Sequence, residues 1–442
     1  MRLDFNRVLP IFALVFVDVL GLTIVLPLLH LYAAVYGATP LEIGLVAATF
    51  PIAQLIGVPV MGALSDRYGR KPLLLISQIT TCIGFILLGL ANSLWLIILS
   101  RLIDGLFGAN LATAQAALSD ITSNENRAQG LGITGAAFGL GFIFGPVIAL
   151  LALEFSDNNL ALPAFIAAAY SFISIFLTLF IFKETLPPSK RNQGINSRVV
   201  NPALILQTLR RAPINVLLLL MFAQQIIFFG FESLLGLFTL TRLGILGQGN
   251  AVIFLLVGVI LVAVQLRFIG PWSRKYGERK LVTASLVLLA VGLIMLALTP
   301  EQPHPFYVKR LAEYRLLEQT SSTEAIIGEI VVPLPDDANR GVAGLLWTLA
   351  ALVPLSIGAG LIRPSLNSLI TQQVSAQEYG RVLGTSTALV SAADAIAPLA
   401  GGLLFQQYGA TVPFLAGGLL MGALVLVSLR AIKPVQSAAM LE

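Results

Sequence analysis

The sequence predicts an all-α membrane protein of twelve spanning helices arranged as two parallel six-helix repeats, and three observations carry that prediction. Hydrophobic residues make up 57% of the 442-residue chain and charged residues 11%, more apolar surface than one soluble core can hide. Apolar runs long enough to cross a bilayer recur along the chain, separated by polar turns. Two stretches of the first half return in the second. Lipid offers backbone groups no partner, and the runs are too long and too uniformly apolar for barrel strands, so helices are the default.

The first seven residues, MRLDFNR, look like the start of a secretory signal. The apolar run that follows is too long for one and has no small-residue cleavage site, so it reads as a retained first span. The spans are predicted at 8–29, 41–64, 72–91, 94–118, 129–153, 160–182, 214–241, 247–269, 281–299, 342–370, 383–405 and 411–431. With both termini cytoplasmic, 20 of the 27 Lys and Arg residues fall on the cytoplasmic side, which fixes the expected orientation. The formal charge of +5 is therefore a matter of topology, and no nucleic-acid partner is expected.

The repeats are legible directly. GALSDRYGRKPLLLIS, from Gly62, lies over GPWSRKYGERKLVTAS, from Gly270, with Gly62, Ser65, Tyr68, Gly69, Leu73 and Ser77 meeting identical residues at an offset of 208. Leu131, Gly132 and Pro146 meet Leu383, Gly384 and Pro398 at an offset of 252, and Gly108 meets Gly360 likewise. The 44-residue difference between the two offsets locates an insertion in the second half, the polar 300–341 segment on the outer side. Six spans per half give both halves the same topology, with a cavity expected between them. The predicted division is 1–182, a cytoplasmic linker at 183–213 with a short amphipathic stretch in NPALILQTLRR, and 214–442.

GALSDRYGRK resembles the loop signature between the second and third helices of the major facilitator superfamily. The resemblance covers about residues 8–431 and includes the weaker second copy and the long central linker. It implies a cytoplasmic gate at Gly62, Asp66, Arg67, Gly69, Arg70 and Lys71, whose charges latch the halves; the alternative is that they only set topology. Within the superfamily the chain is most similar to the twelve-span drug/proton antiporters, which include the tetracycline exporters. Asp18, Gly21 and Pro27 match their first-helix pattern. GLGFIFGP, with Gly139, Gly141, Gly145 and Pro146, resembles part of their fifth-helix motif, its later glycines replaced by VIALL. Arg101 and Gly105 in SRLIDGLFGAN match their fourth-helix pattern, with Asp104 where glutamine is common.

Charges inside spans are costly and mark paths for ions or substrates. Asp18, Asp104, Glu232 and Asp394 stand against Arg101 and Arg363, four acids to two bases, so at least one acid is expected to take up a proton in some state. Arg101 and Asp104, three apart on one helical face, either handle protons or merely neutralise each other. Arg363 can neutralise Glu232 or Asp394. Gln54, Asn110, Gln115, Gln225, Gln265, Arg363 and Asn367 are the candidate cavity residues, with helix-to-helix bonding as the other reading of each amide.

No phosphate loop and no HExxH pair occurs, His30 and His304 fall in predicted outer loops, and Cys82 has no cysteine partner. Neither an enzyme nor ATP-driven transport is expected, and neither a cofactor nor a metal. The resemblance implies a proton-coupled transporter in the cell membrane, exporting small amphipathic or lipophilic compounds by alternating access and acting as a monomer. Its partners are then a small-molecule substrate, protons and the lipid bilayer. Import by proton symport, and a non-transporting signalling or assembly role with 300–341 as a docking loop, are the alternatives.

Overall fold

The computed structural model describes residues 5–122, 127–191, 207–208, 214–318, 331–374 and 376–431. The stretch NPALILQTLRR lies outside them apart from residues 207–208. Among the described residues there is no strand, and twelve helical segments are long and apolar enough to span a membrane. Spans 1 to 6 are Val8–Ala34, Pro40–Tyr68, Arg70–Gly89, Leu94–Ile121, Gly135–Phe155 and Ala161–Phe180. Spans 7 to 12 are Ile214–Leu243, Gly247–Tyr276, Glu278–Ala297, Ala343–Ile370, Gly384–Tyr408 and Val412–Arg430.

Packing repeats with a shift of six helices. Span 1 lies against spans 5 and 6, and span 3 against 4 and 6; span 7 lies against 11 and 12, and span 9 against 10 and 12. Between the two sets of six, span 2 packs on span 11 and span 5 on span 8, a pair that exchanges under the same shift. The aligned glycines of the two repeats do the same work. Gly69 and Gly277 have φ of 108° and 76°, values open to glycine, and each caps the preceding helix by donating its N–H to Ser65 or Ser273.

At the end opposite the linker the two sets of spans are sealed together. Asn250 Nδ2 in span 8 donates to the Pro27 carbonyl at 2.8 Å, Gln248 Nε2 to Glu154 at 2.9 Å, and the Leu41 N–H to Gln406 at 3.2 Å. His30 belongs to this seal, which corrects its expected place in a loop. A 3₁₀ turn at Leu26–Leu28, bent by Pro27, carries span 1 on as the helix Leu29–Ala34. His30 there is buried, and its ring fills the space left by Gly236 of span 7, where an added Cβ would sit 2.3 Å from the imidazole.

The 300–341 segment is less of an independent surface insertion than its polarity suggests. Its helix Lys309–Glu318 buries Ala312 and Leu316, and Leu316 and Arg315 line a small crevice with Leu31, Leu153 and Leu160 of the first half and Leu246 and Gly247 of the second. Tyr307, 2% exposed, packs on Gly244, and Arg242 pairs with Glu301 at 2.8 Å. His304 stays in the loop, where partial burial pushes its imidazole below the usual range. Its described residues thus lie across the seam at the sealed end.

The glycines of span 5 have two separate packing roles. Gly141 and Gly145 face span 1, where Thr23 donates to the Gly141 carbonyl at 2.9 Å, and Gly139 faces Val262 of span 8. A Cβ on Gly145 would lie 2.1 Å from Thr23 Oγ1, whereas one on Gly135 meets nothing. Gly145→Ala is therefore expected to cost about 1–3 kcal/mol by overpacking. Gly135→Ala should be neutral or gain about 0.5 kcal/mol from lost unfolded-chain freedom. Thermal unfolding of the purified protein in detergent checks both, and equal losses at the two positions would sink the explanation.

Candidate functional site

The residues around Asp18 are brought together by a break in span 4. The helix Leu94–Phe107 stops at Gly108–Ala109 and a second one, Asn110–Ile121, begins. An interrupted helix inside a membrane frees backbone groups that something must satisfy. Ser77 of span 3 donates to the Phe107 carbonyl at 2.6 Å and accepts the Ala109 N–H at 2.9 Å, and Gln54 Nε2 of span 2 donates to the Gly108 carbonyl at 3.1 Å. Gln54 is thereby committed to holding the break.

Asn110, set at the start of the second piece, donates through Nδ2 to Asp18 Oδ1 at 2.6 Å and reaches Thr81 at 3.4 Å. Asp18 is half-buried. On the first piece Arg101 and Asp104, both 3% exposed, pair at 3.4 Å. The Arg101 guanidinium also lies 5.3 Å from the centre of the Phe85 ring, a cation–π contact that partly offsets its desolvation. Gly84 makes room for Asp104, since a Cβ there would touch its side chain at 3.1 Å. Asp104 lies near enough for its charge to act on Asp18. Asp104 is thus paired with Arg101, while the described hydrogen bond of Asp18 is with Asn110 and its neighbouring charge is Asp104.

The second half holds a similar arrangement. Gln225 Nε2 of span 7 donates to Asp394 Oδ1 of span 11 at 2.7 Å, and Gln224 beneath it bonds the Met221 carbonyl at 3.2 Å. Adding the repeat offset of 208 to position 18 gives 226, beside Gln225, so the amide stands nearly where the first half has its acid. Glu232, half-buried two turns along span 7, feels the charge of Asp394, and exposed Arg363 on span 10 acts on Asp394 without an ion pair among the described residues. Gln265 sits in a π-helical turn, Val264–Phe268, of span 8; Gln115 and Asn367 are half-buried on spans 4 and 10. The structure brings together Asp18, Asp104, Arg101 and Asn110 in one group and Gln225, Asp394, Glu232 and Arg363 in another, and leaves Gln54, Gln115, Gln265 and Asn367 outside both.

At the linker end the gate motif makes its described contacts within the first half. Arg70 bonds Asp66 at 2.6 Å and Asp120 at 2.9 Å, and Lys71 Nζ donates to the Leu179 carbonyl. Glu184, just past span 6, accepts the backbone N–H groups of Arg70 and Lys71 and so caps span 3. Arg67 lies over the Tyr68 ring, and a Cβ on Gly62 would meet nothing. Thr81, Phe85, Asp120 and Glu184 escape sequence reasoning. Only Glu184 carries a signal, an acid between the last aromatics of span 6 and a proline pair.

The family model for the Major Facilitator Superfamily matches residues 11–308. The chain is 26% identical over 396 residues to the class B tetracycline resistance protein of Escherichia coli, covering 88% of this chain and 86% of that one. It is 23% identical to multidrug resistance protein 2 of Bacillus subtilis, covering 92% and 90%. Among solved structures, the human organic anion transporter MFSD10 (TETRAN) matches with a TM-score of 0.66 at 21% identity, over 97% of this chain and 100% of that one. The nucleoside transporter NupG matches with a TM-score of 0.72 at 13% identity, over 97% and 99%, which speaks to the fold alone. With twelve spans and a family model covering most of its length, the chain belongs to the Major Facilitator Superfamily and is a transporter.

Proposed function

We propose that the protein is a proton-coupled exporter of small amphipathic or lipophilic compounds, working by alternating access in the cell membrane with both termini cytoplasmic. The observation that carries this reading is a pair of neighbouring carboxyls in the first bundle, Asp104 paired with Arg101 and Asp18 half-buried beside it, held by Asn110 and with no ion pair of its own among the described residues. Such a group has one acid in excess of its base, so it holds a proton in one state and gives it up in another. The excess of basic residues toward the linker end makes that end cytoplasmic, and the sealed end then faces outward. Drug-resistance relatives of similar length support export. The Gln225–Asp394 pair supplies a second polar contact for cargo or proton from the other half.

The test is a susceptibility panel of tetracycline, ethidium and norfloxacin in a pump-depleted host. Wild type is expected to raise tolerance to at least one compound. In vesicles that compound should drive protons the opposite way to itself; protons moving with it would indicate import by symport and overturn the proposal.

A further inference from the structure

Inside the first half, at the sealed end, a cavity of about 320 Å³ opens between spans 1, 3 and 6. Its rim is the exposed Asp157 and Asn159 of the loop between spans 5 and 6, and its floor is Tyr32. Tyr32 donates to the Leu160 carbonyl, and Tyr36, further up, to that of Ala91, so both phenol oxygens keep lone pairs that can accept from water. On the inner side of Tyr32 is Arg101, close enough for the two to interact electrostatically. Arg101 is 3% exposed, yet its Nη2 has no hydrogen-bond partner. A buried guanidinium N–H left unpaired costs free energy that one water would recover, and Tyr32, which lines the cavity, links that cavity to Arg101. Within the bundle span 6 carries no formal charge and span 3 only Arg70 and Lys71 at its far end, while at the mouth Arg315 lines the neighbouring crevice that shares Leu160.

We propose that protons reach the Asp18–Asp104 group from the sealed end through this cavity, past Tyr32 and Arg101, by a route within the first bundle and separate from the cargo path between the halves. A hydrated proton enters at the Asp157 rim, passes along water held by the phenol oxygens and Arg101 Nη2, and rests on a carboxylate oxygen of Asp104 or Asp18. The water remains in the cavity. The proposal rests on the proton-coupled reading above and refines it.

Plugging the cavity tests it. Ala161→Trp and, separately, Ser156→Trp place an indole in the cavity without touching the acids. Proteoliposomes are assayed for tetracycline, or for ethidium where wild type does not move tetracycline. Two rates are read: exchange of labelled for unlabelled compound without a pH gradient, and uphill transport with the accompanying proton flux. The expected result is at least a fivefold loss of uphill transport and proton flux in both variants, with exchange within twofold of wild type. Unchanged uphill transport overturns the route, and so does a parallel loss of both rates in both variants, which would mean that the cavity is only structural. A wild type that moves the compound without any proton flux overturns the proton-coupled reading itself, an outcome separate from failure of the route.

Discussion

Asp18→Asn is expected to keep exchange of cargo and lose uphill transport. The asparagine retains the shape of the side chain and its contact with Asn110, so packing around the span 4 break is preserved. What it removes is the acid in excess of Arg101. Each proton carried down a one-unit pH difference is worth about 1.4 kcal/mol, or about tenfold accumulation of a neutral cargo. Without a group that binds and releases that proton, the accumulation ratio falls to one while exchange continues. Resistance in the pump-depleted host falls to the level of the empty vector. Full resistance in Asp18→Asn would place the proton elsewhere, and Asp394→Asn, which alters the Gln225 pair of the other half, then becomes the informative variant.

The broad architecture was legible in the sequence because a membrane imposes it. Spanning length, apolar uniformity and two copies of a glycine-centred turn are local properties, and Gly69 and Gly277 turned out to adopt the left-handed backbone that makes their repetition meaningful. The site was legible by residue type but not by partnership. Asp18 and Asn110 are 92 residues apart and Gln225 and Asp394 169 apart, and no periodicity links them. The break that aims Asn110 was hidden for a physical reason. Gly108 and Ala109 keep the run apolar, while the groups that stabilise the break come from Ser77 and Gln54 on other helices. Sequence alone puts His30 in a loop because Pro27 reads as an end to the helix, whereas the chain resumes it after a 3₁₀ turn and buries the ring against a glycine of the opposite half.

Arg101→Leu should be the most damaging single change to stability, and its remedy identifies why. Arg101 and Asp104 are each 3% exposed, and the 3.4 Å pair between them is less tight than the 2.6 Å and 2.9 Å contacts of Arg70. Desolvation of two ions is large, and a pair of this kind contributes little net stability compared with a well-packed apolar pair. Removing one partner is another matter. It leaves a buried carboxylate without compensation beside the second acid, Asp18, a loss of about 3–5 kcal/mol. The double variant Arg101→Leu/Asp104→Leu removes both charges and their desolvation together, and is expected to regain most of that loss. Thermal unfolding in detergent reads both variants. Stability and transport then separate: the double variant folds, yet with Asp18 as the group's only ionisable side chain, the sharing of a proton between two acids and a base is gone and uphill transport remains impaired. If the single variant is as stable as wild type, Asp104 is already without charge there and the ion pair does not carry the structure of span 4.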